Sequence, residues 1–205
     1  MGVVTPVRME ETSLERWIAS HLAASHRLGY DPWLHTSDQV KRLAKATGDA
    51  GATLVAVTQN PVDAIWQDRP LPPKAPVNPH PMGFAGEEAA AKIARIQAEL
   101  ASASVDALVI SDPHNLAWMF NLRGGDLGHT PLPLGYAMVP RAGRPVLFLD
   151  PAKMTNEARH ALAPLADVAA PSAMASALKA LGAAKAKVRL DSATAAVALS
   201  AMISE

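Results

Sequence analysis

Five side chains that can act as acids, bases or ligands, Asp112, His114, Arg123, Asp126 and His129, fall within eighteen residues of a 205-residue chain. Asp126 and His129 stand three apart in a glycine-rich stretch. A carboxylate and an imidazole at that spacing suit a metal site or a His–Asp acid/base pair. Plainer roles explain the same residues with fewer assumptions. Asp112 stands where a helix N-cap is expected, His114 falls in the first turn of that helix, and Asp126 is suited to satisfying loop amides. Arg123 has more to offer, because a rigid fork of donors between two structured elements can hold a carboxylate or a carbonyl. A structural salt bridge from Arg123 to Asp126 is the favoured alternative. An enzyme built on Asp126 and His129 alone ranks last among the readings. His21, His26, His35, His80 and His160 form no i, i+4 pair and read as solvated or locally bonded imidazoles. Trp118-Met119-Phe120 reads as core rather than as a ligand cage.

Several chemistries are excluded. The chain has no cysteine, which removes disulfides, thiolate nucleophiles and cysteine-ligated zinc or iron–sulfur centres. It carries no Gly-x-Ser-x-Gly elbow, no Walker loop, no Gly-x-Gly-x-x-Gly after a strand and no His-Glu-x-x-His helix. With 19 basic and 19 acidic side chains, the overall charge offers no attraction to nucleic acid or to anionic lipid. No uncharged stretch reaches the ~20 residues of a membrane span, and residues 1–6 lack the basic start of a leader. A soluble, cytoplasmic protein is expected.

The elements that must position these residues follow from pattern. Residues 3–9 read as extended, and Thr12 with Glu15 matches a capping box ahead of a helix carrying Leu14, Trp17, Ile18 and Leu22. Residues 26–30 and 53–57 read as strands on either side of a helix opened by Thr36 and Gln39, and a helical turn follows Pro61. Between residues 69 and 81 lie six prolines, which predicts an extended, semi-rigid linker. Beyond it come a helix over 87–101, a buried-type strand over 105–110 and a short helix capped by Asp112. A loop then spans 122–134. Strands 135–139 and 145–149 are joined by a four-residue turn, as an antiparallel hairpin requires. Alanine makes up about one residue in five and dominates helices over 155–162, 172–181 and 194–203, which alternate with short strands at 167–169 and 187–190. This rhythm predicts an α/β architecture with a mixed sheet flanked by helices.

Certain strings are more specific than residue types. Asn60-Pro61-Val62-Asp63-Ala64-Ile65-Trp66-Gln67-Asp68-Arg69-Pro70 resembles the end of the first domain of the long, three-domain Xaa-Pro aminopeptidases, also called aminopeptidase P. Gly29-Tyr30-Asp31-Pro32 lies before it. Asp112-Pro113-His114-Asn115-Leu116-Ala117-Trp118-Met119-Phe120-Asn121-Leu122-Arg123-Gly124, His129-Thr130-Pro131 and Tyr136-Ala137-Met138-Val139 come after it in the same colinear order.

The resemblance implies two creatinase-like N-terminal domains. Residues 1–68 would be the C-terminal part of the first, residues 69–81 the proline-rich linker, and residues 82–205 the second, cut short at its end. The catalytic domain of pita-bread fold, with its two metal ions, usually manganese, would be absent, and no catalytic, cofactor-binding or metal-ligating residue is expected in this chain. The implied role is architectural: holding the catalytic domain, shaping the entry of proline-containing peptides, and supporting a homodimer. The loop with Asn121, Arg123, Asp126 and His129 is expected to face the catalytic cleft. The abrupt chain ends and the few strands before residue 66 likewise suggest a piece of a longer protein. The competing expectation is a free-standing creatinase-like binding or interaction module without peptidase activity.

Overall fold

A computed structural model describes residues 5–204. Residues 1–4, which include the start of the expected extended segment 3–9 and most of the stretch 1–6, lie outside the described residues, as does Glu205. The chain divides into two compact units, Met1–Arg69 and Pro70–Glu205.

In the first unit, residues 5–8 have no regular structure. Helix α1 (Leu14–His21) is capped by Ser13, whose hydroxyl accepts from the Arg16 amide at 3.3 Å. The cap therefore falls one residue later than the Thr12/Glu15 pattern predicts. The Thr12 amide closes a turn on the Arg8 carbonyl, and Glu15 instead accepts from Arg42 at 3.2 Å. Strand β1 (Arg27–Tyr30), helix α2 (Ser37–Asp49) and strand β2 (Thr53–Ala56) form a parallel βαβ unit with Arg27 opposite Thr53. Here the expected box is complete: the Thr36 hydroxyl accepts from the Gln39 amide, and the Gln39 side chain accepts from the Thr36 amide. Ile18, Leu43 and Ala46 make the buried core, with Leu22, Leu28 and Leu54 packed around them. Helix α3 (Pro61–Ile65) starts at Asn60, which also donates to Asp31 at 2.7 Å.

In the second unit, the proline-rich segment is woven into the fold from Ala75 onward. Val77 is fully buried, its amide donates to the Lys153 carbonyl, and its own carbonyl accepts from the Thr155 hydroxyl. Strand β3 (Asn78–Pro79) and a turn of helix, α4 (Met82–Ala85), lead into α5 (Ala89–Ser102). Then follow β4 (Ala107–Ile110), α6 (Pro113–Phe120), β5 (Leu122–Arg123), β6 (Tyr136–Pro140), β7 (Val146–Phe148), α7 (Asn156–Leu162), β8 (Asp167–Ala169), α8 (Met174–Ala183), β9 (Val188–Arg189) and α9 (Val197–Ser204). Five strands form one sheet in the order β8-β7-β6-β4-β9, with β6 antiparallel to both neighbours and the outer pairs parallel. This is the mixed sheet that the sequence predicts.

Side chains alternate across the sheet, as the strand period of two demands. Ile110, Val139 and Leu147 meet Ile93, Leu116, Phe120 and Leu162 on one face, while Val109 and Phe148 meet Met174, Leu178 and Leu199 on the other. Helices α8 and α9 approach closely at Gly182, where an added Cβ would stand 2.0 Å from the Ile203 carbonyl oxygen.

Candidate functional site

The loop singled out by sequence starts from a reversal of the chain. Asp112 caps α6, its carboxylate accepting from the His114 amide, and the helix ends at Asn121 in the left-handed conformation, φ 49°. Asparagine tolerates that conformation well. The turn sends Leu122 and Arg123 into β5, which pairs antiparallel with β3, Asn78 opposite Arg123. Gly124 then passes so close to Pro133 that an added Cβ would lie 2.8 Å from its Cα.

Asp126 is turned inward. Its side chain is wholly buried, accepts from the amides of Ala75 and Leu134, and forms an ion pair at 2.5 Å with Lys153, which also donates to the Leu134 carbonyl. The expectation that Asp126 satisfies loop amides holds. The expected salt bridge with Arg123 is replaced by the one with Lys153, because only an inward cation can neutralise a carboxylate held that deep. His129 is exposed on the loop with φ 61°. With its carboxylate engaged inside, Asp126 is not arranged as the partner of an acid/base pair with His129. Among the described residues no three His, Asp or Glu side chains converge as a metal ion would require. The donor set present does not fit a two-metal centre.

What the loop does bring together lies at its start. The Arg123 guanidinium donates to the Leu122 carbonyl at 2.8 Å and is half-buried. Nearby, Lys92 of α5 is only 1% exposed and donates to the Asn121 side-chain oxygen at 2.7 Å and to the Trp118 carbonyl at 3.0 Å. The Asn121 side-chain amide donates to the Glu87 carbonyl, and its main-chain carbonyl accepts from the His80 amide at 2.6 Å. Met119 and Phe120 are core, as predicted, but Trp118 is not. The residue is 43% exposed, and its ring carries Lys92 and Arg95 over its face, at 4.6 and 5.6 Å from the centroid. Burial lowers the pKa of Lys92, with Glu87 pulling the other way and Arg123 and Arg95 adding to the fall. Burial, then Arg123 and Lys92, likewise lower that of His80. The site is thus a cationic corner beside an aromatic face, suited to holding an anion or a carbonyl.

Lys92 and His80 were not among the residues picked by type and spacing. Lys92 left a trace all the same: it lies in helical register with Ile96 and Leu100, on the face that has to be buried. A lysine on such a face demands acceptors inside. Lys153 and Leu134, which anchor the far end of the loop, also line a crevice of about 690 Å³ beside the Lys74–Asp150 ion pair.

A family model described as Creatinase/Prolidase N-terminal domain matches residues 68–205. The chain belongs to that family. Among similar proteins, a probable Xaa-Pro aminopeptidase P from Coccidioides posadasii is 35% identical over 149 residues, 72% of this chain and 24% of that protein. Aminopeptidase P2 from Arabidopsis thaliana is 35% identical over 145 residues, 70% of this chain and 20% of its own length. The creatinase-like chain therefore spans about a quarter or less of the curated relatives it matches. In fold it is similar to an X-prolyl aminopeptidase from Caenorhabditis elegans, described as a cytosolic enzyme with a di-nuclear active site. The TM-score is 0.83 at 24% identity, over 98% of this chain and 33% of that one. No helix among the described residues is long and apolar enough to cross a membrane.

Proposed function

We propose that residues 1–205 are the non-catalytic N-terminal region of a metal-dependent Xaa-Pro aminopeptidase, an enzyme that removes the first residue from peptides with proline second. The observation that carries this reading is the 35% identity to aminopeptidase P proteins across some 70% of the chain. On this reading residues 1–68 belong to the first creatinase-like domain and 82–205 to the second, and the segment 69–81 between them packs with the second from Ala75 onward. Two metal ions, manganese by the resemblance, sit in the catalytic domain and supply an activated water and a polarised carbonyl there. This chain supplies no ligand to them. Its part is to hold that domain, to shape the path by which short peptides enter, and to support a homodimer, in the cytosol where the worm enzyme is described as working.

The loop from Asn121 to His129 faces the catalytic cleft in this proposal, with Arg123 as its recognition group and Asp126 as its internal anchor. The buried Asp126–Lys153 pair supports that division, because it fixes one end of the loop and leaves Arg123 with donors to spare at the other. Two measurements test it. The 205-residue chain with added manganese is expected to release nothing from an Xaa-Pro peptide, and release would overturn the reading. In the peptidase that carries these residues, Arg123→Ala is expected to raise KM, and unchanged KM and kcat would remove the loop from the cleft.

A further inference from the structure

Arg123 is a useful recognition group only if the chain delivers it in one place, and the two-residue strand that carries it is too short to do so by itself. Strand β5 is reached through a single left-handed residue, Asn121, directly after α6. Asn121 has three polar groups tied down: its side-chain oxygen by Lys92, its side-chain amide by the Glu87 carbonyl, and its main-chain carbonyl by the His80 amide. Lys92 also holds the Trp118 carbonyl, which the helix end itself meets only with a long bond, 3.4 Å, from the Asn121 amide. One ammonium group, reaching across from α5, thus joins the end of α6 to the residue that turns the chain into β5. The nearest carboxylate acting on it, Glu87, spends its oxygens on Arg95 at 2.8 and 3.2 Å. Lys92 is therefore held by neutral acceptors and the Trp118 ring, and not by an ion pair that would fix it elsewhere.

We propose that Lys92 is the positioning residue for Arg123, locking the turn at Asn121 by tying α5 to the end of α6. Lys92 touches no substrate in this scheme; it acts through the backbone that carries Arg123. The inference rests on the placement of the loop at the catalytic cleft proposed above, and goes beyond it by naming the group that makes the placement rigid. A buried bond from a charged donor contributes more than a neutral one, and its loss should be felt first at the two amides closest to the turn.

The experiment has two arms. In the 205-residue chain, Lys92→Met is expected to speed hydrogen exchange at the Asn121 and His80 amides by about tenfold or more, with the amides of β4, β6 and β7 unchanged. Exchange as in the parent chain would overturn the proposal. If Lys92→Met does not fold, Asn121→Gly serves instead, since glycine accepts the left-handed turn but removes the acceptor of Lys92, and the same pair of amides is expected to loosen. In the peptidase that carries these residues, Lys92→Met is expected to raise KM about tenfold with little change in kcat, and to add nothing in an Arg123→Ala background. An equal effect in both backgrounds would show that Lys92 acts independently of Arg123 and would overturn the proposal. A silent Arg123→Ala would instead remove the loop from the cleft, and the exchange arm would still decide whether Lys92 locks the turn.

Discussion

Two lysines of the second unit are buried almost completely, and they are compensated in different ways. Lys153 meets the carboxylate of Asp126, while Lys92 meets a side-chain amide oxygen, a carbonyl and an indole face. The second arrangement leaves the charge short of solvation, which is why burial lowers the pKa of Lys92 from its ordinary 10.5. The consequence for stability has a definite sign. Between the folded and unfolded pKa values the unfolded chain binds more protons, so the contribution of Lys92 rises with pH across that window and falls away as the pH drops through the folded pKa. Tyr136 works in the opposite sense, because burial raises its pKa above 10.0 and stability is lost as the unfolded phenol ionises. Comparing the chain with Lys92→Met isolates the lysine. Urea unfolding at a series of alkaline pH values is expected to show the parent gaining on the variant up to about pH 10.5, and a constant gap would contradict the assignment. Asp126 was legible as a residue that quiets loop amides, because a short acid among glycines does little else. Lys153 was not legible as its partner, since the two stand 27 positions apart in the chain and meet only where the loop folds back on Ala75 and Leu134.

At the scale of elements, the same signature gave two different outcomes. Thr36 with Gln39 is a reciprocal cap because the chain enters α2 in extended geometry, with Thr36 at φ −80° and ψ 162°. Thr12 with Glu15 meets a turn closed on Arg8, so the first extended residue before α1 is Ser13. Both sequences satisfy the rule, and only the preceding backbone separates them. Substitution checks the difference: Thr36→Ala and Ser13→Ala are each expected to cost the first unit about 1 kcal/mol. Thr12→Ala should stay within about 0.5 kcal/mol. Chemical denaturation followed by helix circular dichroism measures all three, and an equal loss at Thr12 would restore the reading from sequence. Longer elements were easier to read. The hairpin of β6 and β7 and the helices α5 and α6 follow from runs long enough to show a period. Strands β3 and β5 are two residues each, too short for any alternation to appear, yet their pairing is what carries the proline-rich segment to Arg123.

The whole molecule is two units of unequal means. Among the described residues the core of the first is built on three buried apolar side chains, Ile18, Leu43 and Ala46, while the second has two clusters on opposite faces of a five-stranded sheet. A unit of some 70 residues buries a smaller share of its surface than one twice that size and is correspondingly marginal. The first unit also exposes large apolar side chains: Leu34 is 68%, Ile65 79% and Trp66 46% exposed, and Trp33 is 46% exposed. Large apolar side chains left in water favour association when nothing covers them. Residues 70–205 expressed alone are expected to unfold in one cooperative urea transition, because both faces of its five-stranded sheet are packed by its own helices, even though Leu71 and Phe84 stand 85% and 80% exposed. Residues 1–69 expressed alone are expected to associate as their concentration rises, with substitution of Ile65 and Trp66 by serine reducing the effect. A monodisperse first unit at all concentrations, or a second unit without a cooperative transition, would contradict this division of stability along the chain.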